Sequence, residues 1–201
     1  MIWHGLWLVG LLIISRGGGN MKILLLTGRA GSGKDTFCDL ATRSGVNVAR
    51  HAFADSLKRL AFNAGWDGVK DEKGRRLLID LGNSIRSYNV NFFADCVASK
   101  IEDVHARYPN SDRIIHVVTD FRFANEAFVL EQLFGNCVKT VRIVRDGLDA
   151  IDDVSEYGLD DYACDLTVLN NGSMNDYGQS VVHAMEFLYG RDIYAYGQGS
   201  N

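Results

Sequence analysis

The sequence lacks the features that mark several large classes of protein. Its four cysteines stand far apart, without the paired spacing of a zinc site or of a disulfide framework: Cys38, Cys96, Cys137 and Cys164. This cysteine usage is typical of a reducing, cytoplasmic setting. The chain has no run of lysine and arginine, so we expect no nucleic-acid partner. The apolar run over residues 1–14 is shorter than the roughly 20 residues that span a bilayer as a helix. We therefore expect no stable membrane partner.

Residues 1–20 differ in composition from the rest of the chain. The apolar run leads through a glycine cluster to a second methionine, Met21, without the positive start or the small-residue cleavage site of a signal peptide. Because a glycine-rich loop begins seven residues after Met21, we expect the natural start there, with 1–20 as an extension outside the fold. A membrane-associating tail stays an open alternative. The length of residues 21–201 predicts a single domain.

Charge is unevenly distributed along the chain. The formal net charge is −4, but residues 146–165 hold eight acidic side chains and no lysine or arginine. The remainder is mildly basic, which suits a protein that binds phosphorylated small molecules.

Residues 22–36, KILLLTGRAGSGKDT, contain the most specific motif of the sequence. A short apolar run stops at Gly28, and Gly33-Lys34 follows at the spacing of a phosphate-binding loop. Small residues let backbone N–H groups turn toward phosphate oxygens, and the helix that follows directs its positive end at the same charge. Lys34 then reaches the β- and γ-phosphates. The loop therefore predicts a nucleoside-triphosphate site.

Asp35 departs from the usual motif, which has a serine or threonine hydroxyl for Mg²⁺ at that position. A carboxylate beside a triphosphate is repelled unless a cation or a hydroxyl-bearing ligand lies between them. Asp35 is therefore predicted to contact Mg²⁺, its waters or an acceptor group. The alternative is a helix-terminal residue that only complements the helix dipole.

Beyond the loop, strand-like and helix-like segments alternate, which predicts an α/β fold with a parallel sheet and helices on both faces. The expected strands cover 22–27, 46–53, 114–119, 138–144 and 166–169. The expected helices cover 35–42, a segment capped by Asp55-Ser56, 71–88, 91–108, 125–134 and 175–189. Two consecutive helices in 71–108 are more than a simple crossover between strands needs, so they predict a lid or the wall of an acceptor site. Their apolar stripes are expected to pack in the core.

Asp120 and Arg122 follow the buried run 114–119. Ligands of open α/β sheets bind beyond the carboxyl ends of the strands, so both residues are expected near the phosphate loop. For Asp120, two roles stay open: a group near Mg²⁺, or the cap of a helix.

Several segments in order resemble the phage-type deoxynucleoside monophosphate kinases, a branch of the P-loop nucleotide kinases. They are 28–36, 53–58 (FADSLK), 73–86, 120–126 (DFRFANE), 154–156 and 165–173. The resemblance covers most of residues 21–189 and none of 1–20. Two residues depart from the family pattern: Ala124 stands in place of a proline, and Asp153 in place of a histidine.

The resemblance implies a P-loop NTPase three-layer sandwich with a five-stranded sheet, a helical acceptor-site insertion around 71–108, and a role in deoxynucleotide metabolism. It implies transfer of the γ-phosphoryl group of ATP, with Mg²⁺, to a deoxynucleoside 5′-monophosphate, and leaves a homodimer open. Implied ATP-binding residues are Gly31, Ser32, Gly33, Lys34, Thr36 and Asn170. Implied acceptor residues are Asp35, Lys58, Arg86, Asp120, Arg122 and Glu126. Lys34, Asp35, Arg122 and Arg145 would act in catalysis, and Asp35 and Asp120 near the metal.

Three other readings of the phosphate loop remain open. The loop binds only the phosphoryl donor and does not distinguish acceptors, so a phosphomevalonate- or dephospho-coenzyme-A-type kinase fits it as well. A nucleotide-dependent switch or motor is disfavoured, because the sequence has no Asn-Lys-x-Asp for guanine and Asp120 is followed by Phe121 rather than glutamate. A membrane-tethered nucleotide-binding module is supported only by residues 1–14.

Overall fold

The structure is a computed structural model that describes residues 21–108, 111–148 and 158–194. The expectations placed on 1–20 and on 153–156 lie outside the described residues. Among the helices of the described ranges, none combines the length and apolarity needed to cross a membrane.

The described residues form five strands and six α-helices, in the predicted order along the chain. The strands are β1 (Lys22–Thr27), β2 (Asn47–His51), β3 (Ile114–Val118), β4 (Val138–Val144) and β5 (Leu166–Leu169). The helices are α1 (Lys34–Arg43), α2 (Ala54–Asn63), α3 (Glu72–Tyr88), α4 (Phe92–Arg107), α5 (Ala124–Phe134) and α6 (Met174–Tyr189). All four strand pairings are parallel, in the order β2-β3-β1-β4-β5, which confirms the predicted α/β fold.

Strand β1 lies at the centre of the sheet and is buried on both faces. Ile23 and Leu25 belong to one core cluster, with residues of α4 and α5, whereas Leu24 and Leu26 belong to a second cluster, with residues of α1 and α6. This alternation follows from the two-residue period of a strand. Because both neighbours of β1 run parallel to it, its carboxyl end and theirs meet at one edge, where Gly28 begins the loop.

The start of α2 differs from the prediction. We expected a strand to Phe53 and a cap from Asp55-Ser56, but β2 ends at His51 and α2 begins at Ala54, with Phe53 as the N-cap and no capping bond from its side chain. Asp55 lies inside the first turn. The backbone N–H groups at the actual start of the helix, those of Phe53 and Ala54, are bound by a carboxylate from a distant strand end, described below.

The apolar stripe of α3 is also not packed as predicted. The predicted stripe consists of Leu77, Leu78, Leu81 and Ile85. Leu77 is 38% exposed and the other three are only partly buried, although Ile85 packs against the core. The buried residues of α3 are Gly74 and Gly82, whereas α4 buries five residues, including Phe93 and Ile101, as expected. Helix α3 thus lines an open cavity and contributes little to the core.

Two buried histidines form a pair between neighbouring strands. Nε2 of His51 in β2 lies 3.0 Å from Nδ1 of His116 in β3, and the rings are stacked. Burial lowers the pKa of both residues to about 4. Lys100 in α4 lowers the pKa of His51 further and Asp55 in α2 opposes this, whereas His51 and His105 both lower the pKa of His116.

The pair is expected to destabilise the fold in acid. An unfolded histidine takes up its proton near pH 6.5 and the folded one only near pH 4, so the pair's contribution is complete above pH 6.5 and falls as the pH drops. The loss is roughly 2 to 4 kcal/mol. Denaturant unfolding between about pH 7 and pH 4 should show this difference between the wild type and a His51→Gln/His116→Gln variant.

The test compares the pH dependence of the free energy of unfolding between the wild type and the double variant, because other groups titrate over the same range. Burial raises the pKa of Glu126 to about 7, and its protonation over the same range changes stability in the opposite direction. The matched control is His183→Gln, because His183 is exposed on α6. Equal pH profiles for the wild type and the double variant would contradict the prediction.

Candidate active site

The phosphate-binding loop has the strained turns that its glycines permit. Gly28 and Gly33 have φ angles of 141° and 104°, which side-chain-bearing residues rarely adopt. A Cβ atom on Gly28 would lie 2.3 Å from the backbone oxygen of Ile143, and one on Gly33 would lie 2.5 Å from Nδ2 of Asn170. Helix α1 begins directly after Gly33, so its positive end opens into the loop, as predicted.

Two side chains from the far end of the chain hold this loop. Nδ2 of Asn170, just after β5, donates to the backbone oxygen of Ser32 at 2.8 Å. The hydroxyl of Tyr177 in α6 donates to the backbone oxygen of Gly33 at 2.9 Å. Asn170 was predicted to contact the donor, and in the structure its side-chain amide donates to the loop backbone. Tyr177 was missed, since nothing in its sequence surroundings distinguishes it from a core residue.

Lys34 lies over the loop that precedes it. Its Nζ donates to the backbone oxygens of Gly28 and Arg29 at 2.5 and 2.8 Å. The amine is thereby held at the mouth of the loop, where a phosphate would accept its hydrogen bonds.

A cavity of about 380 Å³, here called the donor cavity, opens on the outer side of the loop. It is lined by most of the residues predicted to bind ATP: Gly31, Gly33, Lys34, Thr36 and Asn170. Arg145, which follows β4, also lines it. Ser32 does not: it is buried, and its hydroxyl is without a hydrogen-bond partner.

Asp35 lines the donor cavity rather than the acceptor side of the site. One of its carboxylate oxygens is paired with the guanidinium of Arg50 in β2. Both side chains are substantially exposed. The sequence analysis missed Arg50, because a pair 15 residues apart on different elements leaves no periodic pattern.

Asp120 connects the end of β3 to the start of α2. Its two oxygens accept hydrogen bonds from the backbone N–H groups of Phe53 and Ala54, at 2.7 and 2.9 Å. Burial raises the pKa of this carboxyl group, while the two backbone donors oppose the rise. The cap considered for Asp120 is therefore present, but on α2 and not on the helix that follows it in sequence.

A larger cavity of about 620 Å³, here called the acceptor cavity, lies between α2, α3 and the start of α5. Five residues predicted to bind the acceptor line it together: Lys58, Arg86, Asp120, Arg122 and Glu126. Its cationic lining also includes Lys70 and Arg75, which were not predicted as site residues. Arg75 does lie within 73–86, one of the segments that carry the family resemblance. Its apolar wall includes Phe53, Leu57, Leu78 and Ile79.

Arg86 is held between two aromatic rings of this cavity. Its guanidinium carbon lies 4.8 Å from the ring centre of Phe93 and 4.5 Å from that of Phe123. Burial lowers the pKa of Arg86 and Glu126 opposes this, but an arginine keeps its charge in proteins. The stacked guanidinium is thus a fixed cation that faces the cavity.

Glu126 serves the backbone at the start of α5. Its Oε2 accepts hydrogen bonds from the N–H groups of Arg122 and Phe123, at 3.0 and 3.1 Å. This matches the predicted helix start, and a contact with an acceptor base stays a prediction. By holding the peptide of Arg122, Glu126 also fixes the direction in which that arginine leaves the strand end.

A third cavity, of about 350 Å³, lies between the other two and is here called the central cavity. Lys34 and Arg145 line both it and the donor cavity, whereas Asp120 and Arg122 line both it and the acceptor cavity. Arg142 lines it as well, and donates to the backbone oxygens of Leu159 and Tyr162. The three cavities are therefore adjacent around the loop and share Lys34, Asp120, Arg122 and Arg145 as lining residues.

Within the described residues, no cluster of three or more histidine, cysteine or acidic side chains is arranged to hold a metal ion. A single carboxylate beside the loop still fits Mg²⁺, which proteins commonly bind through one or two carboxylates together with substrate phosphates. Asp35, beside the loop, has the appropriate oxygen chemistry.

No protein-family model and no curated protein matches the chain. Among solved structures, the dephospho-CoA kinase of Campylobacter jejuni is 18% identical, with a TM-score of 0.50 over 83% of this chain and 96% of that one. APS kinase of Mycobacterium tuberculosis, in complex with AMPPNP and APS, is 16% identical, with a TM-score of 0.44 over 83% and 98%. Shikimate kinase of Aquifex aeolicus is 11% identical, with a TM-score of 0.43 over 82% and 96%. At this identity the likeness to dephospho-CoA kinase shows a shared fold alone.

Proposed function

We propose that this protein transfers the γ-phosphoryl group of ATP to a deoxynucleoside 5′-monophosphate, giving the diphosphate and ADP. The observation that carries the proposal is the adjacency of three cavities around the phosphate-binding loop. Lys34 lines the donor and central cavities, and the central cavity shares Asp120 and Arg122 with the acceptor cavity, whose lining includes five lysine and arginine side chains and an apolar wall. A donor and a phosphorylated acceptor can therefore meet across Arg122 and Arg145.

The lining of the acceptor cavity matches a nucleotide. Five cations, Lys58, Lys70, Arg75, Arg86 and Arg122, against two acidic groups leave the lining positive, which suits a phosphate dianion. Aliphatic side chains of the wall, among them Leu78 and the exposed Ile79, offer a surface against which a base can pack. The volume is in the range of small-molecule sites.

The reaction requires positioning and positive charge rather than a strong base. An oxygen of the acceptor phosphate, already ionised near neutral pH, bonds to the γ-phosphorus, and the bond from that phosphorus to the bridging oxygen breaks, so ADP leaves with the electron pair. Lys34 and the loop amides bind the donor phosphates, Arg122 orients the acceptor phosphate, and Arg145 stabilises the charge of the moving group. When bound, Mg²⁺ supplies further charge neutralisation, and Asp35 is the residue that would hold it.

The test is ADP formation by the full chain with ATP and Mg²⁺. The acceptors compared are each deoxynucleoside monophosphate, the ribonucleoside monophosphates, phosphomevalonate, dephospho-coenzyme A, and none. We expect ADP to form only with one or more deoxynucleotides, with a matching amount of the deoxynucleoside diphosphate. Hydrolysis without an acceptor, or a response to dephospho-coenzyme A alone, would contradict the proposal.

A further inference from the structure

We infer that Arg50 is a positioning residue of the nucleotide site, which neutralises and holds the Asp35 carboxylate that stands in place of the usual hydroxyl. The inference rests on the proposed function only in that it requires a nucleotide in the donor cavity. It concerns a residue outside that cavity, since Arg50 is not among the residues that line it.

The placement of Arg50 follows from the sheet. It lies near the carboxyl end of β2, which pairs with β3 and not with β1, so its side chain reaches α1 from the edge of the sheet. Its guanidinium contacts one oxygen of Asp35, in the first turn of α1.

The electrostatic need for such a cation is specific to this loop. A serine or threonine after Lys34 would bring a neutral hydroxyl to the phosphates, whereas Asp35 brings a negative charge beside a ligand of several negative charges. Lys34 already serves the loop carbonyls and the phosphates. Arg50 offsets the Asp35 charge locally, so that the carboxylate can stay close to a nucleotide without repelling it.

The inference predicts an effect on nucleotide binding that depends on Asp35. Calorimetric titration with the non-hydrolysable analogue AMPPNP and Mg²⁺ should show about tenfold weaker binding to Arg50→Gln. The loss should increase as Mg²⁺ is lowered, because the metal offsets the same charge. In an Asp35→Asn background the same Arg50→Gln change should alter binding by less than about twofold.

Arg43→Gln is the matched control, since Arg43 is exposed in the last turn of α1 and its loss changes the net charge equally. Its binding should equal that of the wild type. Arg50→Lys, which keeps the charge and the fold, should stay within about threefold of the wild type. If Arg50→Gln does not fold, Arg50→Lys still tests the inference. A large loss of AMPPNP affinity in this variant, which retains the charge, would overturn the inference.

An equal loss from Arg50→Gln with and without the Asp35 carboxylate would overturn the inference in favour of a structural role, and so would unchanged binding. The assay contains no acceptor and measures no turnover. A chain that binds AMPPNP in this pattern but phosphorylates no acceptor would therefore leave the inference standing and overturn only the proposed function. A wild-type chain that does not bind AMPPNP would overturn both.

Discussion

Replacing Lys34 with alanine is expected to lower phosphoryl transfer by about 10³-fold, the largest effect we expect from one substitution. The amine lies 2.5 Å from the backbone oxygen of Gly28, and Lys34 lines the donor cavity. Its removal leaves the backbone amides to bind the nucleotide but takes away the charge that follows the moving phosphoryl group. Turnover and AMPPNP affinity should be measured together, because we expect the first to fall far more than the second.

Lys22→Ala is the matched control for this experiment. Lys22 is the first residue of β1, and its Nζ likewise donates to a backbone oxygen, that of Asp112, at 2.7 Å. It lies at the opposite end of the same strand, so its loss should leave turnover within about twofold of the wild type. Substantial turnover by Lys34→Ala would contradict the assignment of the donor site.

Replacing Arg122 with alanine is expected to raise the KM of the acceptor by about 10- to 100-fold, while the KM of ATP changes by less than about twofold. Arg122 lines both the acceptor cavity and the central cavity, and Glu126 holds its backbone in place. A charged hydrogen bond to the acceptor phosphate is lost, but the loop and Lys34 are not altered. Steady-state kinetics with each substrate varied in turn measures the two constants.

Two further variants sharpen the interpretation. Arg122→Lys keeps the charge without the paired donors of a guanidinium and should fall between the wild type and Arg122→Ala. Arg113→Ala is the control, because Arg113 is exposed just before β3, at the end of the strand away from the site. Equal increases in both KM values would remove Arg122 from the acceptor site.

The parts of the site that depend on local spacing could be predicted from the sequence. The loop and the start of α1 depend on a glycine pattern within a few residues, and the structure has both where they were expected. Asp120 and Arg122 could be located because a buried parallel strand delivers whatever follows it to the ligand-binding edge of the sheet. The resemblance in motif order, and no physical rule, was the basis for assigning three further residues to the acceptor site: Lys58, Arg86 and Glu126.

The parts that depend on how distant elements approach each other could not be predicted. The carboxylate of Asp120 caps a helix that begins 66 residues earlier, and no pattern in either segment records the other. The stripe of α3 was assigned to the core because the wall of a cavity and the surface of a core have the same apolar spacing. No pattern around Lys70 indicated that it would line the acceptor cavity, because this depends on how the distant elements approach each other.

The contacts of Asn170 and Tyr177 with the loop have a consequence for protein synthesis. The loop is made early, but its two anchors lie 138 and 144 residues further along the chain. On the ribosome, the N-terminal part of the domain emerges with the glycine pattern complete and both anchors still to be translated. The anchored form of the loop is therefore completed late, when α6 has left the exit tunnel. A message truncated before β5 yields a polypeptide that carries the motif but not the anchored loop.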